Sequence, residues 1–148
     1  GLEEQRLMPA LRLALDELAG RGLLLSAERQ ALDEAAVARF YRSDLARRMA
    51  RSPQRHAEWP FTLLADEQVI LQGVLDACFL EEGAWVLVDY KTDRGEAKDI
   101  LARYRDQMRW YMRALRDITG LAVREAWLYL LRTGKAVRVE EEAPIRLA

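Results

Sequence analysis

The spacing of apolar positions changes character near residues 51–53. Before that point it is helical: Leu7, Leu11, Ala14, Leu15 and Leu18 fall on one face. Gly20-Arg21-Gly22 interrupts the pattern, and Ser26-Ala27-Glu28-Arg29 offers a new helix start. A third amphipathic stretch, over 34–50, presents Val37, Phe40, Tyr41, Leu45 and Met49. Beyond Pro53 short apolar or alternating runs predict strands at 57–64, 68–80 and 84–91. A helix over 97–118 follows, closed by Thr119-Gly120, and two further strands fit 123–132 and 136–141. There is no repeat and no low-complexity tract. The order αβββαββ reads as one α/β domain over 1–148, with a helical N-terminal part (2–50) and a core at 54–141.

Composition narrows the class. The 148 residues are 51% hydrophobic and 32% charged, enough for a buried core inside a solvated shell. No apolar run approaches the roughly 20 residues that span a bilayer, and no signal peptide opens the chain, so a soluble intracellular domain with no membrane contact is expected. Lys and Arg total 23 against 24 Asp and Glu, for a net charge of −1. That argues against a globally basic nucleic-acid binder but leaves room for a local basic groove. The single cysteine, Cys78, excludes an internal disulfide, a Cys-only zinc site and an iron–sulfur cluster. Only Lys91, Lys98 and Lys135 are lysines, and every other cation is arginine. Arginine does not replace lysine as a compact point charge in site chemistry, so each lysine stands out.

Lys91 stands in the most informative segment, Gly73-Val74-Leu75-Asp76 followed by Trp85-Val86-Leu87-Val88-Asp89-Tyr90-Lys91. If Glu81–Ala84 forms a four-residue hairpin loop, Leu80 pairs with Trp85, Cys78 with Leu87, and Asp76 lies opposite Asp89. Lys91 then shares the face of Asp89, about 7 Å along the strand. Facing carboxylates in a largely apolar sheet repel. A divalent cation between them removes that penalty, and oxygen ligands with open water positions suit Mg²⁺, with Mn²⁺ as a substitute. Such a cation would polarise a phosphodiester and activate a bound water, while Lys91 orients the water or stabilises phosphate charge. On the helix, Gln107 and Tyr111 share a face with Tyr104 and Met108 and are placed to contact a DNA backbone. Met108 and Leu115 read as core. Arg94, with Arg103, Arg105, Arg109 and Arg113, could form a phosphate-binding rim, although most of these belong to a solvated face.

Three motifs taken together resemble a known family. Gly73-Val74-Leu75-Asp76, Asp89-Tyr90-Lys91 and Gln107-Met108-Arg109-Trp110-Tyr111 are similar to the GxxD, (D/E)xK and QxxxY motifs of RecB-type nucleases in the PD-(D/E)XK superfamily. The wider wording, Glu58-Trp59-Pro60-Phe61 and Val88 through Arg94, resembles the nuclease domains of AddA-type helicase–nuclease proteins. The resemblance implies a restriction-endonuclease-like mixed sheet and Mg²⁺-dependent exonucleolytic hydrolysis of single-stranded DNA during double-strand-break processing and recombinational repair. It implies Asp76, Asp89 and Lys91 as catalytic residues, with Asp76, Asp89 and the Tyr90 backbone carbonyl holding the metal. It also implies helicase motor domains in a parent chain, partnership with a second helicase–nuclease subunit, and a bacterial cytoplasmic, nucleoid-associated location. Relatives with a four-cysteine iron–sulfur cluster are set aside by the single cysteine, and Thr133-Gly134-Lys135 is not a phosphate-binding loop, so the motor is expected elsewhere. The family's early-helix histidine, in a G-T-x-x-H pattern, has no counterpart, and the chain reads as an excised domain beginning just after it. His56, the only histidine, reads as a surface residue. Glu58 reads as a structural salt-bridge partner, with a second metal or a water as its other role. A catalytically silent, nuclease-fold module that binds DNA or a protein is the alternative reading.

Overall fold

A computed structural model describes residues 35, 36 and 38–140, with residue 65 described by its backbone alone. The two amphipathic stretches before residue 34 lie outside the described residues, as do Val37 and the last position of the final predicted strand. The described elements are α1 (Asp44–Arg51), β1 (Arg55–Asp66), β2 (Val69–Glu81), β3 (Ala84–Lys91), α2 (Ala97–Thr119), β4 (Val123–Leu130) and β5 (Lys135–Arg138). The strands form one mixed sheet in the order β1-β2-β3-β4-β5, with β3 and β4 parallel and the other neighbours antiparallel. The α/β class and the αβββαββ order are those expected from the chain.

β3 is the central strand. Trp85 through Tyr90 are all buried, so side chains on both of its faces meet a layer. On one face Val86, Val88 and Tyr90 pack with Ala77, Phe79 and Tyr129 against Phe40, Leu45, Ala46 and Met49. On the other, Trp85 and Leu87 pack with Cys78, Leu128 and Leu130 against Ile100, Met108, Met112 and Leu115 of α2. The Trp85 indole donates to Thr119 Oγ1 (2.9 Å), pinning the end of α2 to the start of β3. Gly120, at φ 73°, ends the helix there. With α2 tethered by its last turn at the start of β3, its middle turns lie over the far end of that strand, where Lys91 stands.

Four boundaries differ from the sequence reading. The stretch over 34–50 is not one helix: residues 38–41 are helical, and the chain restarts at Ser43, whose extended backbone and Oγ, accepting from Ala46 N (3.1 Å), cap α1. The loop expected over Glu81–Ala84 shrinks to Glu82-Gly83, because Glu81 and Ala84 themselves pair. Both turn residues have positive φ, 53° and 80°, the tight hairpin geometry whose twist matches the strands. The register is unchanged, with Leu80 opposite Trp85 and Cys78 opposite Leu87. β4 stops at Leu130 instead of 132 because Gly134 N bonds back to Leu130 O (2.7 Å) and begins the turn into β5. β5 covers 135–138, and Val139 still donates to Ala126 O (2.8 Å).

The last difference concerns strand pleat. Residues of a regular strand alternate faces. Yet Leu75 and Cys78, three apart, pack in the same α2-side cluster, and so do Trp59 and, through its stacking on Trp59 and Trp85, His56. Both strands therefore switch faces together, at Glu58 in β1 and at Asp76 in β2, while the pairing register on either side stays the same. Glu58 takes φ 50°, a left-handed backbone uncommon for a residue with a side chain. The pivot puts Asp76 where regular pairing stops on both sides.

Candidate active site

Asp76 and Asp89 follow the last paired residues, Ala77 and Val88, in the β2–β3 ladder. There Asp76 Oδ2 replaces a backbone carbonyl and accepts from Tyr90 N (3.0 Å). The two carboxyl groups stand within hydrogen-bonding reach of each other. Burial, then the neighbouring Asp89 charge and a hydrogen bond shared with it, hold the Asp76 carboxyl well above the usual carboxylate range. The Tyr90 amide and Lys91 pull the other way and do not prevail. Asp89 is almost wholly buried, and its Oδ2 has no hydrogen-bond partner although Lys91 Nζ lies 2.8 Å away as an ion pair. Close approach without hydrogen-bond geometry neutralises charge but leaves the acceptor unfilled.

Lys91 reaches two further groups, Gln107 Oε1 at 3.1 Å and the face of the Tyr104 ring at 3.8 Å. Burial lowers its pKa, but the Asp89 charge and contact outweigh burial and the net shift is upward. Gln107 in turn donates to the Tyr111 hydroxyl (3.2 Å), and the Tyr111 ring meets Phe61 edge-on at 5.4 Å. Gly73 explains its own place in this group: a Cβ there would stand 2.8 Å from the Phe61 ring and 3.3 Å from that of Tyr111. The helix face and the strand close only over a glycine.

Val74, Asp76, Asp89, Lys91, Gln107 and Tyr111 line one pocket of about 480 Å³, together with Tyr90, Thr92, Asp93, Tyr104 and Arg132. The Tyr90 ring packs on the opposite face against Phe40 and Tyr129, so Tyr90 offers the pocket its peptide unit. The structure thus gathers Asp76, Asp89, Tyr90, Lys91, Gln107 and Tyr111 in one place. Arg94 is exposed and does not line the pocket, and Arg103 is paired with Asp93. Arg109 lies 3.5 Å from Asp106 and Arg113 lies 3.4 Å from Asp117. Glu58 lies opposite Asp76 in register but also does not line the pocket, and it makes no ion pair among the described residues, against the structural salt bridge expected for it. His56 is not a plain surface residue: it is half-buried, stacked on Trp59 at 4.2 Å and within 3.0 Å of Gln54 Nε2. An imidazole is a flat amphipathic ring, and a neighbouring indole draws it inward.

Sequence reasoning missed Asp93, Tyr104 as a pocket residue, and Arg132. Asp93 accepts from the Tyr104 hydroxyl (2.8 Å), and Arg132 Nε donates to Thr92 O (2.6 Å). The spacing Lys91-x-Asp93 was a usable signal, since a strand running on past Lys91 keeps Asp93 on its face. Arg132 gave none, because the turn that aims it begins only where β4 ends.

The donor set fits a hard divalent cation: two carboxylates with one unfilled buried oxygen, and a peptide beside them. Among the described residues no cluster of three or more His, Cys, Asp or Glu side chains forms a closed ligand set, so water would complete the coordination. A mixed sheet flanked by helices, with Asp-x-Lys at the end of its central strand and an Asp beside it, is the layout of a nuclease that cuts through an acid pair and a lysine. The chain belongs to the PD-(D/E)XK nuclease superfamily, whose family model matches residues 3–146. It is 34% identical over 153 residues to the AddA-type ATP-dependent helicase/nuclease protein of Geobacillus kaustophilus (strain HTA426), across 88% of this chain and 12% of that protein. Similar matches are to the proteins of the same name from Carboxydothermus hydrogenoformans (34% over 139 residues) and Desulforudis audaxviator (35% over 143 residues), covering 84% and 85% of this chain. The chain spans 12% of the length of each of these relatives. No helix of the described residues is long and apolar enough to cross a membrane.

Proposed function

We propose that the chain is the Mg²⁺-dependent nuclease domain of a larger helicase–nuclease protein, hydrolysing phosphodiester bonds of single-stranded DNA as an exonuclease, with Mn²⁺ able to substitute. The observation that carries this reading is the convergence of Asp76, Asp89 and Lys91 on one pocket with an Asp89 oxygen left unfilled. Asp76 and Asp89 would hold the cation with the Tyr90 carbonyl. The bound cation would supply Lewis-acid polarisation of the phosphate and a lowered water pKa. Lys91 places a compact positive charge where charge builds on the phosphate oxygens, or orients the attacking water. Gln107 holds Lys91 at its amide oxygen and Tyr111 at its amide nitrogen, so a DNA strand meets a fixed polar edge. By analogy with the relatives named above, the domain would act beside ATP-driven motor domains and a second subunit, in the bacterial cytoplasm at the nucleoid, on broken DNA ends during recombinational repair.

The direct test is cleavage of end-labelled single-stranded DNA in Mg²⁺ or Mn²⁺, with Asp89→Ala beside the unaltered chain. The expected result is cation-dependent shortening that falls at least about a thousandfold in the variant. DNA binding without any cleavage by the unaltered chain would instead identify a silent nuclease-fold module.

A further inference from the structure

Lysine is a poor choice for a fixed charge. Its four-carbon stem has about 2 kcal/mol of rotamer freedom, and the ammonium must be confined from outside. Asp89 cannot do this during the reaction proposed above, because there its carboxylate is a cation ligand. Gln107 gives a single hydrogen bond at 3.1 Å from an exposed helix position. The remaining contact is Tyr104, whose ring face lies 3.8 Å from Nζ. That ring is itself anchored. Its hydroxyl donates to Asp93 (2.8 Å), and Arg103 pairs with the same Asp93 carboxylate. A donated phenol hydrogen bond also leaves more electron density on the ring, which strengthens its attraction for a cation.

Tyr104 lies outside the three motifs that announce the site, one turn before Gln107. The geometry points to Tyr104 as a positioning residue: its ring, braced through Asp93, holds the Lys91 ammonium at the reacting phosphate when Asp89 is engaged elsewhere. This rests on the nuclease reading of the pocket and adds a residue to it. The ring face matters here and the hydroxyl serves only to anchor it, so phenylalanine should replace tyrosine where leucine does not. Tyr104 is half-buried at the edge of the α2 core, and both substitutions keep an apolar body there.

Two measurements test it. Because the chain holds only three lysines, labelling them with carbon-13 gives three resolvable ε-methylene signals. The Lys91 signal should lie upfield of the other two through the ring current, stay there in Tyr104→Phe, and move to join them in Tyr104→Leu. In cleavage of single-stranded DNA, Tyr104→Leu should lower kcat about tenfold with KM nearly unchanged, while Tyr104→Phe stays within about twofold of the unaltered chain. A Lys91 signal that ignores Tyr104→Leu overturns the brace. A shifted signal with unchanged kcat overturns its role in the reaction while leaving the nuclease reading intact. An unaltered chain that never cuts removes the nuclease reading and the role of Tyr104 with it, although the ring-current shift would still report the contact.

Discussion

The sheet carries two pairs of acidic side chains at opposite ends, and it treats them oppositely. At the hairpin end, Glu81 and Glu125 close around Arg48, which donates to both carboxylates through four hydrogen bonds of 2.8–3.0 Å. Arg124 adds a second cation to Glu81, and the Trp127 indole donates to Glu125 (2.9 Å). The hydrogen bonds from Arg48 hold both glutamates below their ordinary range. At the other end, Asp76 and Asp89 share one lysine that satisfies neither fully, and burial beside Asp89 pushes Asp76 up. The difference separates structure from chemistry. Where the fold needs acids for cohesion it supplies a planar, bidentate arginine from α1. Where it would bind a cation it leaves a deficit of positive charge, and the isolated sheet is less stable for it.

That contrast can be broken at either end. The largest expected effect is on activity: Lys91→Ala should abolish cleavage, by about a thousandfold or more, while the chain stays folded in Mg²⁺. Circular dichroism and a single-turnover cleavage assay check the two halves, and loss of the fold would make Lys91 a structural cation like Arg48. Next is Arg48→Met, which strands two carboxylates only partly reached by water. It should cost about 2–3 kcal/mol by urea denaturation, less than a fully buried pair because all three side chains keep some exposure. The rate of cutting per folded molecule should not change, and adding Glu81→Gln and Glu125→Gln should restore much of the loss.

The smallest effect is in the pH dependence of stability, where the two ends should have opposite signs. Glu81 and Glu125 are held low, so their contribution is present above about 4.5 and lost as pH falls through their folded values. Asp76 is held high, so without metal the folded chain keeps a proton the unfolded chain has released, and stability falls as pH rises from 3.8 toward the folded value. The slope cannot exceed about 1.4 kcal/mol per pH unit for one proton. Asp76→Asn should remove the decline on raising pH and leave the acid limb alone. Thermal melts in chelator across pH 4–8 read both limbs.

Much of this was legible in the chain. Periodicity located the seven core elements, because a strand buried on both faces and a 23-residue amphipathic helix leave strong patterns. Leu80 and Trp85 flanking Glu82-Gly83 were enough to place Asp76 beside Asp89, since a hairpin fixes its register from the turn outward. What stayed hidden was cooperative or distant. The pleat switch at Glu58 and Asp76 needs two strands to kink together, and neither local sequence announces it. Arg48 meets partners 33 and 77 residues away, a separation no window of sequence spans. Ser43-Asp44, by contrast, was a visible cap signal inside an otherwise continuous helical pattern, and the apolar spacing overrode it.

The central claim, that one end of the sheet lacks a cation and the other does not, is tested most directly by Mn²⁺ binding in calorimetric titration at pH 8. The unaltered chain should take up one Mn²⁺, Asp76→Asn and Asp89→Asn should each lose it, and Glu81→Gln should bind as before. Binding that survives both aspartate variants, or that disappears with Glu81→Gln, would contradict the assignment of the open site to Asp76 and Asp89.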